Sequence, residues 1–193
     1  PELSKEYFTL NYLQRFLEKD KDNNDNIPCP FIPKIYNYYP SFESPSFLIE
    51  QLLGSSIDTI FKICQKKFSL MCSIIIIQQM LQIIQKLHEK DIIHRNLNPT
   101  KFLFGKEETT DILMSKMVKQ EITINPSSQF YLVDYSEAKF YKDHNKNHIN
   151  FEDKIKDFSF TNKNFCSIWA ELKMEQSRRD DLYSIFYIFF QKL

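Results

Sequence analysis

Glycine is nearly absent from this chain: Gly54 and Gly105 are the only two in 193 residues, where average usage would give about thirteen. A chain so poor in glycine has no flexible backbone loop with which to cradle phosphate. The four cysteines, Cys29, Cys64, Cys72 and Cys166, show neither CxxC spacing nor a paired framework, which points away from metal ligation and towards reduced, inert thiols. Neither sign of charge prevails, since Lys plus Arg and Asp plus Glu are 25 each. No global field would draw the chain to nucleic acid or to an acidic membrane surface. The longest purely aliphatic run, Ile74 to Ile77, is far too short to span a bilayer, and the start Pro1-Glu2-Leu3-Ser4 has no signal-peptide pattern. A soluble protein is expected, with neither nucleic acid nor membrane among its partners.

The apolar share of 42% suits a globular domain. Leu3, Tyr7, Leu10, Leu13, Phe16 and Leu17 recur close to helical spacing and predict an amphipathic helix over 3–18. Residues 19–30 are polar and Asn-rich and read as a loop. Two β-like runs follow, 34–39 and 46–53, and then a short helix over 57–66. Ser69 offers an N-cap to a long helix whose Ile76, Met80, Ile83, Ile84 and Leu87 share one face and predict a core element. A loop over 91–100, short strands around Phe102 and over 130–133, an irregular stretch over 141–165 and a final helix from about Asp180 complete the chain. Residues 106–128 are too many for a compact strand connection and read as an insertion, mobile or used for contact. His144 and His148, beside Asp143 and Glu152, have metal-ligand residue types, but in a polar segment they read better as solvated.

The segment His94-Arg95-Asn96-Leu97-Asn98-Pro99-Thr100-Lys101 follows a long helix and precedes a strand. It resembles the catalytic loop of protein kinases, and Tyr131-Leu132-Val133-Asp134-Tyr135-Ser136 resembles their metal-binding Asp-Phe-Gly element. Leu52-Leu53-Gly54-Ser55-Ser56, Lys67-Phe68-Ser69-Leu70, His148-Ile149 and Glu175-Gln176-Ser177-Arg178-Arg179-Asp180-Asp181-Leu182 are similar to signatures of casein kinase I. The vaccinia-related kinase branch shares the strand before Asp134, but the Arg-Arg-Asp-Asp run favours casein kinase I. The resemblance implies an α+β, protein kinase-like fold. It would consist of the end of the small lobe and the hinge over 1–53, and the large helical lobe over 54–193. A complete member would extend beyond both ends of this chain, with a glycine-rich loop and an ATP-anchoring lysine in the part before Pro1.

The departures from that pattern concern chemistry. Asn96 stands where the resemblance puts the aspartate that accepts or orients the substrate hydroxyl proton, and an amide is no base near neutral pH. Loss of such a group typically costs about 10²–10⁴-fold. Asn98 replaces the lysine that steadies the γ-phosphate, and Lys101 replaces the asparagine that binds a second Mg²⁺. Asp134 is kept, but Tyr135 and Ser136 follow it. The small-lobe helix glutamate aligns near Thr9 or Leu10. Glu50 falls at the position behind the adenine, where a carboxylate is costly to bury. Thr161-Asn162-Lys163-Asn164 replaces the activation-segment Gly-Thr-Ala-Arg. The scaffold positions remain: His94 as a packed core histidine, Arg95, Pro99, Leu103, Arg178 and Asp181. Arg178 and Arg179 are expected in ion pairs that fix the activation segment.

These residues are identified with a casein kinase I-like pseudokinase in which Asn96, Asn98 and Lys101 are degenerate catalytic positions. Asp134, Leu103 and Glu50 line a vestigial ATP pocket, and Asp134 is a vestigial Mg²⁺ ligand. The resemblance implies a scaffold or structural subunit of a multi-subunit assembly, cytoplasmic and by analogy cytoskeletal or ciliary, with no cofactor. The alternative is a weak Ser/Thr kinase that uses Mg-ATP. Lys101 and Asp134 are expected to form a direct ion pair in place of the metal.

Overall fold

The computed structural model describes residues 2–20, 31–41, 45–106, 109, 112, 124, 128–149 and 163–192. The chain forms two compact units, one from Pro1–Ile57 with Lys101–Ser136 and one from Asp58–Thr100 with Glu137–Leu193. The two stretches of the first unit are joined by backbone pairing: Gly54 N–H donates to Phe104 O (2.9 Å), Phe104 N–H to Ser55 O (3.0 Å) and Leu132 N–H to Phe31 O (2.7 Å). These bonds fasten the 101–136 stretch to the first unit.

In the first unit, helix α1 (Glu2–Asp20) lies against the antiparallel pair β1 (Ile35–Tyr39) and β2 (Phe47–Glu50). Leu10 and Leu13 are its buried stripe, and Tyr7 stacks on Tyr38 with ring centroids 4.4 Å apart. Burying two leucines contributes about 1.5–3 kcal/mol each. Strands β4 (Phe102–Phe104) and β5 (Phe130–Leu132) pair antiparallel, with Leu103 opposite Tyr131. Phe102, Phe104 and Leu132 are fully buried. Gly54 cannot be larger, because a Cβ there would collide with Thr109 Oγ1 and Gly105 O. Ser55 N–H donates to that same Thr109 hydroxyl (2.8 Å). Of the insertion read over 106–128, Thr109, Ile112 and Ile124 are buried; most of the rest lies outside the described residues, as do Thr161, Asn162 and Glu152.

In the second unit, α2 (Ile57–Ile63) leads to α3 (Leu70–Glu89). Ser69 caps α3 by accepting from Cys72 N–H (3.3 Å). By length and composition α3 could cross a membrane, with mean hydropathy 1.4. Met80, Ile83, Ile84 and Leu87 are nevertheless buried, and the helix packs on α5 (Arg178–Lys192) and on β3 (Ile92–Ile93). That is the arrangement of a core helix. Strand β3 pairs with β6 (Lys139–Phe140), a ladder that the sequence reading left as loop. A 3₁₀ turn (Lys163–Phe165) and α4 (Ile168–Glu171) precede α5. Asp180 caps α5 by accepting from Ser177 N–H (2.7 Å).

Candidate functional site

The candidate residues are divided between the two units. In the second unit, Asp181 is 1% exposed and organises the His94-Arg95-Asn96 turn. Its Oδ2 accepts from His94 N–H (2.9 Å), and its Oδ1 accepts from Arg95 N–H (2.9 Å). A charged acceptor makes such bonds roughly twice as strong as neutral ones. They hold Arg95 at φ 69°, a left-handed conformation that non-glycine residues rarely adopt. His88 Nε2 also lies 2.9 Å from Asp181 Oδ2. The Arg95 Nε donates to Glu137 O (2.6 Å), and its Nη2 lies 3.5 Å from Glu137 Oε2. Burial lowers the Arg95 pKa, and Glu137, Glu175 and Asp181 oppose that shift.

Asn96 and Asn98 are both buried. Asn98 Oδ1 accepts from Thr100 N–H (2.9 Å) and from Thr100 Oγ1 (2.5 Å), a local turn in place of a flexible lysine. Arg178 places its guanidinium 4.8 Å from the Tyr141 ring centroid. This is an aromatic contact; much of the activation segment, with which an ion pair is expected for it, lies outside the described residues. Arg179 stacks on Trp169 (5.2 Å) and reaches Asp180 at 3.8 Å.

In the first unit, Lys101 and Asp134 form the direct ion pair expected from the sequence, Nζ to Oδ2. Val133 N–H donates to Lys101 O (3.0 Å), which sets the base of the lysine beside the carboxylate. Asp134 Oδ1 accepts from Ser136 Oγ (2.6 Å), and Asp134 itself has φ 63°. Glu6 Oε1 accepts from Tyr135 N–H (3.0 Å).

That last contact corrects the sequence reading, which put the helix glutamate near Thr9 or Leu10. Leu10 is fully buried and Thr9 Oγ1 donates to Lys5 O (3.0 Å). Glu6, one turn earlier on the same helical face, is the carboxylate that meets the Asp134-Tyr135-Ser136 turn. A face of α1 traced back by three or four positions would have found it.

Glu50 ends β2 with its Oε1 buried and without a hydrogen-bond partner among the described residues. Burial, then Glu6 and Asp134, push its pKa up to about 7. Burial and Asp134 also raise Glu6, while the Tyr135 amide and Lys101 act against that rise. Tyr135 is completely buried and its phenol is pushed well above its ordinary range. Leu103 sits mid-strand in β4.

A divalent cation needs oxygen donors free to converge on it. Here one Asp134 oxygen is taken by an ammonium and the other by a hydroxyl, and Lys101 adds like charge. The residues present do not fit Mg²⁺ at this carboxylate. Among the described residues no group of three or more His, Cys, Asp or Glu is placed to hold a metal. His148 Nδ1 lies 3.0 Å from Ile149 O instead.

No protein-family model matches the chain. Among curated proteins it is similar to casein kinase I homolog 1 of Schizosaccharomyces pombe, 32% identical over 162 residues, which is 83% of this chain and 32% of that protein. It is 33% identical to casein kinase I homolog 3 of Saccharomyces cerevisiae over 165 residues, 84% of this chain and 31% of the relative. Casein kinase I homolog 1 of the same yeast is 32% identical over 192 residues, 98% of this chain and 30% of that protein. The chain thus spans about a third of the length of the curated relatives it matches. With the mixed helix and strand architecture, these similarities define the chain as α+β with a protein kinase-like fold. Within that class they support a casein kinase I-like kinase domain.

Proposed function

We propose that the chain is the core of a catalytically impaired casein kinase I-like pseudokinase, a scaffold or structural subunit of a larger protein assembly. The observation that carries this reading is the Lys101–Asp134 ion pair: an ammonium neutralises the carboxylate that a kinase would use to hold metal. Asn96 and Asn98 remove the base and the phosphate-steadying cation from the same loop, while Asp181 still braces that loop as a rigid frame. On this reading Mg-ATP is not a working cofactor. The place is cytoplasmic, with cytoskeleton or cilium favoured by analogy with the branch. Purified full-length protein should transfer no radiolabelled phosphate to casein-like substrates, and affinity purification should return a defined set of partner proteins. Incorporation that disappears in Asp134→Ala would overturn the reading.

A second reading, a weak ATP-dependent Ser/Thr kinase, is favoured by Glu6. This carboxylate on α1 accepts from the Tyr135 amide, next to Asp134, so a helix glutamate is present near the residue that would hold metal. Under that reading the same assay shows slow transfer that needs Asp134 and Mg²⁺.

A further inference from the structure

We propose that Lys142 and Lys146 form a two-lysine latch on the carboxylate of Asp91, and that Lys146 is a modification site at which N-acylation holds the latch open. The inference goes beyond the pseudokinase reading and does not rest on it, since no residue of the latch belongs to the Asp134 turn or to the His94-Arg95-Asn96 loop. Lys142 Nζ lies 2.6 Å from Asp91 Oδ1 and Lys146 Nζ 2.6 Å from Asp91 Oδ2, so each oxygen has its own ammonium. The Asp91 side chain is 8% exposed, and a carboxylate so buried depends on its partners. Both lysines belong to one short loop: Lys142 bridges His148, and between them Asp143 Oδ1 accepts from the Asn145 and Asn147 amides (2.9 Å each). The carboxylate thus closes residues 142–148 onto the end of α3. There Tyr141 N–H also donates to Asp91 O (2.9 Å), and the Tyr141 hydroxyl donates to His88 O (2.6 Å).

The closed latch is biased to open. Asp91 and Lys146 both hold φ 65°, the left-handed region that side chains other than hydrogen disfavour, and such a conformation lasts where surrounding bonds enforce it. Of the two ammonium groups, that of Lys146 is the more accessible, with its side chain 71% exposed against 33% for Lys142. An ion pair so open exchanges readily with water. Once released and deprotonated, the ε-amine can attack the carbonyl carbon of an acyl thioester. The C–N amide bond forms as the C–S bond breaks, and the proton that nitrogen gives up ends on the departing thiolate. The product amide carries no charge and no longer pairs with Asp91, so each acylation traps an opening.

The test uses full-length protein acetylated at Lys146 alone, with protein acetylated at Lys62 alone as the control. Lys62, on α2, is comparably exposed at 67% and pairs with Asp58 (2.7 Å). The measurement is hydrogen exchange at the Tyr141, Asp143 and Ile149 amides, which donate to Asp91 O, Asn147 O and Tyr141 O. Acetylation of Lys146 should speed exchange at these amides at least about tenfold, and acetylation of Lys62 should leave them at the wild-type rate. Lys146→Gln should reproduce the acceleration, and Lys146→Arg, which keeps the charge, should not. In Asp91→Asn an acetyl thioester should label Lys146 faster than in wild type, because the latch no longer protects the amine. If Asp91→Asn fails to fold, the Lys146 variants, changed at an exposed side chain, decide the matter. Wild-type exchange in the Lys146-acetylated protein would overturn the inference, as would equal acceleration by the Lys62 control or by Lys146→Arg. Any of these would leave the pseudokinase reading standing, whereas phosphate transfer by wild-type protein would defeat that reading and not the latch.

Discussion

At Glu50, burial makes the ionised carboxyl expensive, and the charges of Glu6 and Asp134 add to that cost. Its folded pKa, about 7 against an ordinary 4.5, is raised, so the folded state holds a proton that the unfolded state releases. Stability from this group is full below about pH 4.5 and is lost as pH rises through about 7. Solvent reaches part of the side chain, so the effect should be about 1 kcal/mol rather than the full linkage value. Urea midpoints should therefore fall between about pH 5 and pH 8, and Glu50→Gln should flatten the slope; an unchanged slope would contradict the assignment. At Asp181, one buried carboxylate serves two backbone amides and His88. Asp181→Ala should cost about 3–5 kcal/mol, by the rule for a broken buried charge network, read by chemical denaturation. Lys101 with Asp134 was legible in the sequence because two motifs fixed both positions. Glu6, His88 and Glu137 were not, because their roles depend on which helical or loop face meets the turn, and a positional count against a motif does not show that.

Helix α3 was legible at the scale of the element because its period is unbroken: Met80, Ile83, Ile84 and Leu87 repeat at helical spacing and are the residues buried. Ile84, fully buried, should cost about 2–5 kcal/mol when cut to alanine. The measurement is the denaturation free energy, and a loss below 1 kcal/mol would mean that the site collapses around the gap. Ser69→Ala should remove about 0.5–2 kcal/mol by uncapping the same helix. Strands β3 and β6 escaped the sequence reading for a physical reason: two-residue strands carry no alternation, and their pairing links residues 92–93 to 139–140. The start of the 106–128 insertion was equally hidden. Among the described residues, one of its contacts is the Thr109 hydroxyl, set in the space that Gly54 leaves.

For the whole molecule, the fold class was legible because motifs spread along the chain point to one architecture, and relatives matching 83–98% of it agree. The division into compact units was less so, since it follows backbone bonds between distant segments. A ligand that binds only the folded state raises stability by RT ln(1 + [L]/Kd). Millimolar Mg-ATP should therefore leave the thermal midpoint of full-length protein unchanged, and a rise of several degrees would favour the kinase reading. The Lys101–Asp134 pair also has a consequence in salt. Its side chains are 14% and 31% exposed, against 40% and 47% for Lys86 and Glu89, so counterions screen it less than that open surface pair.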